Sequence, residues 1–223
     1  MKDNYTHITI ILDRTGSMEA IRDDTIGGFN AFLNMQKTEP GFASLTLVQF
    51  DSQDPYEIVH RFQPLPDIPE LTRETFVPRA STPLLDAMGR GINDLEKSLL
   101  DLAENERPSR VVMVIITDGQ ENASREFRKG QVEKMIREKQ EKANWQFVFL
   151  SADLDAIGDA LQAGIYASSV LAHDKDERGV GAAWASLSRS ISDYRAARKE
   201  DVSFSEEDRA QQENEKKRKQ KPE

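Results

Sequence analysis

Three short stretches of this chain carry oxygen-bearing side chains in a pattern that suits a hard cation. Asp13, Thr15 and Ser17 stand on alternate positions in D-R-T-G-S. Thr82 lies in S-T-P, and Asp118 lies in T-D-G. Together they supply two carboxylates and three hydroxyls. Mg²⁺ takes oxygen ligands in octahedral geometry and keeps several waters, and Mn²⁺ accepts the same donors. Two carboxylates acting through water leave such an ion incompletely neutralised. It then stays electrophilic toward a carboxylate from outside, so the cluster is a candidate docking point for an acidic partner, with the metal as bridge.

Each donor also has a plain structural reading. Ser17 and Thr82 can be helix N-caps, with Pro83 at the favoured first helical position. Asp118-Gly119 can be a turn, and Asp13 can cap a loop. What separates the readings is whether the fold brings all five together.

The elements that must position them follow from periodicity. The apolar run from Ile8 to Leu12 is a strand that ends at Asp13. A helix is predicted over 18–37, with Ile21, Thr25, Phe29, Phe32 and Leu33 near one face. Gly27-Gly28 inside it suggests close packing on a sheet. Strands are predicted at 44–51 and 56–62, and the four residues between them call for an antiparallel hairpin. Residues 63–81 hold four prolines and read as irregular, with one helical turn near 70–76.

From Pro83 a helix carries an apolar stripe: Leu84, Leu85, Met88, Ile92, Leu95, Leu99 and Leu102. The run 111–117, V-V-M-V-I-I-T, has no alternation, so it belongs at the centre of a sheet covered on both faces. It ends at Asp118. A charged helix over 127–143, a strand over 145–150, a short helix over 154–163, an edge strand over 165–171 and a closing helix over 179–198 complete the chain.

This alternation predicts an α/β fold with a doubly wound, mainly parallel six-stranded sheet, one antiparallel edge strand and helices on both faces. In the strand order 3-2-1-4-5-6, strands 1 and 4 adjoin where the winding reverses, and ligands bind at that crevice. Asp13 and Asp118 should converge there. The domain is expected to span residues 1–198. Residues 199–223 read as a polar, charged tail, a frayed helix or disordered, ending in a basic run at 216–221.

Composition narrows the function. The 223 residues hold 30 Lys and Arg against 39 Asp and Glu, a formal charge of −9, which argues against nucleic acid or an anionic membrane as partner. Cysteine is absent, which excludes thiolate metal sites and cysteine nucleophiles. No stretch approaches the roughly 20 apolar residues of a membrane span, and the apolar run after the polar N-terminus is too short for a secretory signal. The expectation is a cytoplasmic protein.

His7, His60 and His173 fall into no metal-ligand spacing and read as packed or solvated. Phosphate-cradling, dinucleotide-binding and G-x-S-x-G motifs are absent. The nearest enzymatic alternative is a Mg²⁺-dependent phosphohydrolase of the haloacid dehalogenase type, with Asp13 as nucleophile. That chemistry wants a second acid two residues on, where this chain has Thr15. Asp51, Glu121 and Asp153 read as solvated loop charges, or else as groups that tune the ion's waters.

The segments D-R-T-G-S-M at 13–18, S-T-P-L at 81–84 and I-T-D-G at 116–119 resemble those that form the metal-ion-dependent adhesion site of von Willebrand factor type A domains. The resemblance covers roughly residues 5–197. It departs at Thr15, where that family usually has serine; the hydroxyl is kept and a methyl is added. The resemblance implies a six-stranded sheet with one antiparallel edge strand. It implies that Thr15 and Ser17 bind the ion directly, Thr82 directly or through water, and Asp13 and Asp118 mostly through water. I-R-D-D-T-I-G-G-F-N and T-D-G-Q-E-N-A-S-R further resemble small stand-alone bacterial and phage members. The implied function is a non-enzymatic Mg²⁺-dependent module that binds an Asp or Glu of a protein partner, by analogy within assemblies with AAA-type ATPases. A scaffold whose metal is purely structural is the third alternative.

Overall fold

The central strand lacks polar alternation because both of its faces are covered. In the computed structural model, which describes residues 2–219 and the side chains of residues 4–212, Val112, Met113, Val114 and Ile115 are all 0% exposed. Val112, Val114 and Ile116 point into one core, and Val111, Met113 and Ile115 into the other. This strand, β4 (Pro108–Thr117), belongs to a six-stranded sheet with β1 (Lys2–Asp13), β2 (Phe42–Phe50), β3 (Glu57–Pro64), β5 (Gln146–Ser151) and β6 (Val170–Ala172). The order is β3-β2-β1-β4-β5-β6. Only β3 runs antiparallel, paired with β2 as the short connection predicts. The other neighbours are parallel, with Leu12 of β1 opposite Ile116 of β4.

Helices α1 (Arg22–Thr38) and α5 (Glu177–Arg195) cover one face with Phe29, Phe32, Leu33, Trp184, Leu187 and Ile191. Helices α2 (Leu84–Asp101), α3 (Lys129–Ala143) and α4 (Leu154–Gln162) cover the other.

Several details depart from expectation. The first strand starts at Lys2, well before the apolar run. Tyr5, Thr6 and His7 are polar but buried. Tyr5 Oη and His7 Nδ1 lie 2.7 and 2.8 Å from Ser44 Oγ, and His7 Nε2 lies 3.2 Å from Thr9 Oγ1 and 3.3 Å from Thr46 Oγ1. Phe62 stacks on the imidazole at 3.7 Å. Burial drives His7 down to about 3, so the ring is neutral and packed.

The glycine pair in α1 serves a helix rather than the sheet: a Cβ on Gly28 would stand 2.1 Å from Trp184 Cδ1 of α5. The expected helix from residue 18 starts instead with a 3₁₀ turn, Gly16–Ile21. In the proline-rich stretch, 3₁₀ structure falls at Leu65–Asp67, and the 70–76 segment holds a turn closed by Phe76 N–H on Thr72 O at 2.9 Å. The edge strand is three residues long, because Ala167–Ser169 winds into a 3₁₀ turn.

The boundary expected at residue 198 falls inside packed structure. Val202 is 0% exposed and joins the α1/α5 core with Phe204. A helix, α6 (Glu206–Lys219), follows. Phe204 N–H bonds Ser168 O, and Arg189 pairs with Asp208. Two apolar residues in a polar stretch, with these polar contacts, dock it. The side chains of the basic run at 216–221 lie outside the described residues.

Candidate metal centre

β1 delivers Asp13 to the carboxyl edge of the sheet, and the chain then turns sharply. Thr15 is extended (φ −74°, ψ 168°) ahead of the 3₁₀ turn. Asp13 is 0% exposed. Its Oδ1 accepts Thr15 N–H at 2.7 Å, and its Oδ2 accepts the hydroxyl of Thr117, the last residue of β4, at 2.6 Å. Burial pushes the Asp13 carboxyl up to about 7. The Thr117 and Thr15 donors oppose that rise, and the charge of Asp118 adds a little to it.

The three hydroxyls and Asp118 form a contiguous chain. Thr82 Oγ1 lies 3.3 Å from Thr15 Oγ1, Thr15 Oγ1 lies 3.2 Å from Ser17 Oγ, and Ser17 donates to Asp118 Oδ1 at 2.5 Å. Thr15, Thr82 and Asp118 are buried, while Ser17 opens to solvent. The capping alternative fails for both residues. Ser17 sits inside the 3₁₀ turn, Pro83 rather than Thr82 occupies the cap position of α2, and neither helix start has a side-chain cap. All five sequence-derived residues therefore meet at the ends of β1 and β4.

The surrounding loops hold them there. Gly16 N–H bonds Ala80 O at 3.1 Å and Arg79 N–H bonds Arg14 O at 2.8 Å, which ties the first segment to the second. Thr82 N–H donates to Asn122 Oδ1 at 2.8 Å, and Asn122 N–H returns a bond to Thr82 O at 3.0 Å. Asp86 on α2 accepts the N–H groups of Arg125, Glu126 and Phe127.

Glu121 is not a solvated charge. It accepts N–H groups from Leu85, Ala123 and Ser124 and so staples the third segment to the α2 start. Asp51 is 0% exposed and paired with Arg14 at 2.7 Å and Arg79 at 2.9 Å. Asp153 caps α4 through the N–H groups of Asp155 and Ala156. These three carboxylates brace loops.

Sequence reasoning missed two neighbours of the site. Thr117 was legible only as the end of an apolar run. Lys175, in the segment between β6 and α5, puts Nζ 2.5 Å from Asp118 Oδ2, an ion pair; that oxygen accepts no hydrogen bond. His173, also nearby, is 5% exposed, with Nδ1 3.0 Å from Asp174 O. Burial holds its imidazole below the ordinary range, and the charge of Asp118 works against that.

Among the described residues no three His, Asp or Glu side chains gather in a way that could hold a metal ion. The candidate centre is a mixed carboxylate and hydroxyl set, which suits a hard, partly hydrated cation. Gly119 lines the cradle. A Cβ on Gly119 would stand 3.5 Å from Ser17 Oγ and 3.9 Å from Thr82 Oγ1, in ordinary contact with both hydroxyls. An open cleft of about 680 Å³ runs alongside, lined by Ser52, Ser81, Asn122, Arg90 and Arg125 among others. Among the described residues no helix is long and apolar enough to cross a membrane.

No protein-family model and no curated protein matches the chain. Solved structures do. A von Willebrand factor type A protein from Catenulispora acidiphila aligns at 10% identity over 83% of this chain and 42% of its own, with a TM-score of 0.54. The manganese-loaded TRAP protein of Plasmodium vivax aligns at 16% identity over 79% and 71%, TM-score 0.55. Proximal thread matrix protein 1 from the mussel byssus, with zinc in its MIDAS motif, aligns at 13% identity over 87% and 46%, TM-score 0.52. The chain spans less than half the length of the first and third of these. At such identities the likeness speaks for the fold, and with the strand order and the single antiparallel edge strand it leads to one conclusion: this chain folds as a von Willebrand factor type A-like domain.

Proposed function

We propose that this chain is a metal-dependent protein-interaction module. It holds Mg²⁺, with Mn²⁺ as a substitute, at Asp13, Thr15, Ser17, Thr82 and Asp118, and through the ion it binds an Asp or Glu side chain of a protein partner. The observation that carries this reading is the unbroken contact chain Thr82–Thr15–Ser17–Asp118 at the switch point of the sheet. Three hydroxyls, two of them buried, that neither cap a helix nor pair with backbone, beside two carboxylates, make a donor set that suits a cation. Two structural neighbours carry a metal, manganese in one and zinc in a MIDAS motif in the other, which supports a divalent ion in general.

A bound divalent ion supplies Lewis acidity toward an incoming carboxylate. The chain's own part is to orient the donors. Thr117 and the Thr15 N–H fix the rotation of Asp13, and Ser17 fixes Asp118. Both Asp13 oxygens are thus engaged, and Thr15 stands where a phosphohydrolase needs its acid; this favours binding over catalysis. A cytoplasmic assembly with an AAA-type ATPase is the partner class that analogy offers.

The test is thermal unfolding with Mg²⁺ or Mn²⁺ against chelator. An ion at about 100 times its Kd adds about 2.7 kcal/mol to the folded state, and Asp118→Ala should abolish that gain. No gain in the wild type, or an equal gain in the variant, sinks the metal centre. A partner captured equally with Mg²⁺ and with chelator would leave the ion a structural one only. Hydrolysis of a generic phosphate ester that vanishes in Asp13→Asn would restore the phosphohydrolase reading.

A further inference from the structure

Lys175 brings a cation of the chain's own to the carboxylate that is to serve the metal. Its ammonium lies 2.5 Å from Asp118 Oδ2, whose side chain is 1% exposed, while the lysine side chain is 37% exposed. The other Asp118 oxygen is taken by the Ser17 hydroxyl, so the lysine holds the one oxygen that accepts no hydrogen bond. The segment that carries it is braced. His173 N–H bonds Ser151 O at 3.0 Å, Asp176 caps α5 through Gly179 N–H at 2.8 Å, and a Cβ on Gly179 would stand 2.4 Å from Asp174 O. The backbone is therefore set, and the four-carbon stem is the mobile part.

A divalent ion on the hydroxyl chain and an ammonium on the same carboxylate are like charges a few ångströms apart, and like charges at that range repel strongly in a partly buried site. Both cannot use Asp118 fully. We propose that Lys175 is a tethered competitor for the metal: its ammonium neutralises Asp118, must swing toward solvent when the ion binds, and so weakens metal affinity. This rests on the metal-centre reading above. Its consequence is that ion occupancy answers to changes in free divalent ion in a higher concentration range than the donor set alone would give.

The experiment is calorimetric titration of Mn²⁺ into the full chain, the Lys175→Met variant and the Lys175→Arg variant, with thermal unfolding in chelator to confirm that each is folded. Lys175→Met should bind Mn²⁺ about tenfold or more tightly, within the usual range of coupling between two sites. Lys175→Arg, which keeps the charge, should stay near wild type. In chelator Lys175→Met should melt below wild type, since Asp118 loses its counter-ion, and at saturating Mn²⁺ the gap should close or reverse. Unchanged or weaker Mn²⁺ binding in Lys175→Met, while wild type binds, overturns the competitor and leaves the metal centre standing. Mn²⁺ binding that appears only in Lys175→Met supports the competitor in its strongest form. Absence of Mn²⁺ binding in all three overturns both.

Discussion

Asp13 ends β1 and Asp51 directly follows its neighbour β2; they are equally sealed from solvent, each 0% exposed, yet the chain treats them in opposite ways. Asp51 has the Arg14 and Arg79 guanidiniums on Oδ2 and the N–H groups of Gln53 and Asp54 on Oδ1. Burial pushes its carboxyl up, but these donors win and hold it below the ordinary range. Asp13 has only neutral donors, burial wins, and the carboxyl rises to about 7. One carboxylate is neutralised by fixed cations of the chain, and the other is not. A buried charge is costly without a counter-ion, and a carboxylate left without a fixed cation is what the proposed metal centre requires of Asp13.

The comparison can be broken from either side. The largest effect should come from Arg14→Met, which leaves Asp51 buried with one of its two guanidiniums gone. Breaking a buried pair costs about 3–5 kcal/mol, and denaturant unfolding should give the same loss in chelator and in Mg²⁺. A loss that shrinks with Mg²⁺ would make Asp51 part of the metal centre.

His7, on the same strand as Asp13, should cost roughly 4 kcal/mol between pH 7 and pH 3. Its value is depressed from 6.5 to about 3 by burial. Its contribution is therefore present above pH 6.5 and is lost as pH falls toward 3. Urea midpoints of wild type and His7→Gln across that window check it; equal slopes would place the acid sensitivity elsewhere.

Asp13→Asn should give a smaller change of opposite sign. A carboxyl raised from 3.8 to about 7 contributes stability below pH 3.8 and loses it as pH rises through 7. The amide can accept Thr15 N–H and donate to Thr117 Oγ1, whose hydroxyl then serves Gly119 O at 3.1 Å. In chelator at pH 8 the variant should gain about 2 kcal/mol and lose its response to metal. A variant less stable than wild type under those conditions would mean that Asp13 is already compensated. The smallest effect is expected for Thr117→Val, which removes one donor to Asp13. It should cost about 1.5 kcal/mol and weaken Mn²⁺ binding about tenfold, as loss of a ligand-orienting group does.

Much of this was legible because the relevant signals are local. Mainly apolar runs at 8–12 and 111–117 located the two central strands, and the helix-sized crossovers gave their order. Asp13, Thr15, Ser17, Thr82 and Asp118 followed because they sit at strand ends and at a helix start. What stayed hidden depends on distant partners. The polar start of β1 carries no strand signal of its own; Ser44 and Thr46 on β2 supply the partners of Tyr5 and His7. Asp51, Glu121 and Asp153 looked solvated because nothing in their own segments announces an arginine, a bare backbone N–H or a helix start that needs them. Lys175 sits among charged residues after a three-residue edge strand, and no spacing links it to Asp118. Val202 and Phe204 were outvoted by their polar surroundings, although two buried side chains decide docking where average composition does not.

The glycine that admits Trp184 between two helices has an optical consequence. The indole is 3% exposed and lines a small void with Met18, Thr117 and His173, which lie beside Ser17, Asp118 and the Lys175 segment. The chain's other tryptophan, Trp145, precedes β5 at the far edge of the sheet, with the Lys139 ammonium 5.6 Å from its ring. With Trp145 replaced by phenylalanine, the intrinsic emission of this protein becomes a single-site gauge of the floor beneath the five oxygen-bearing residues, readable in a cuvette without a label.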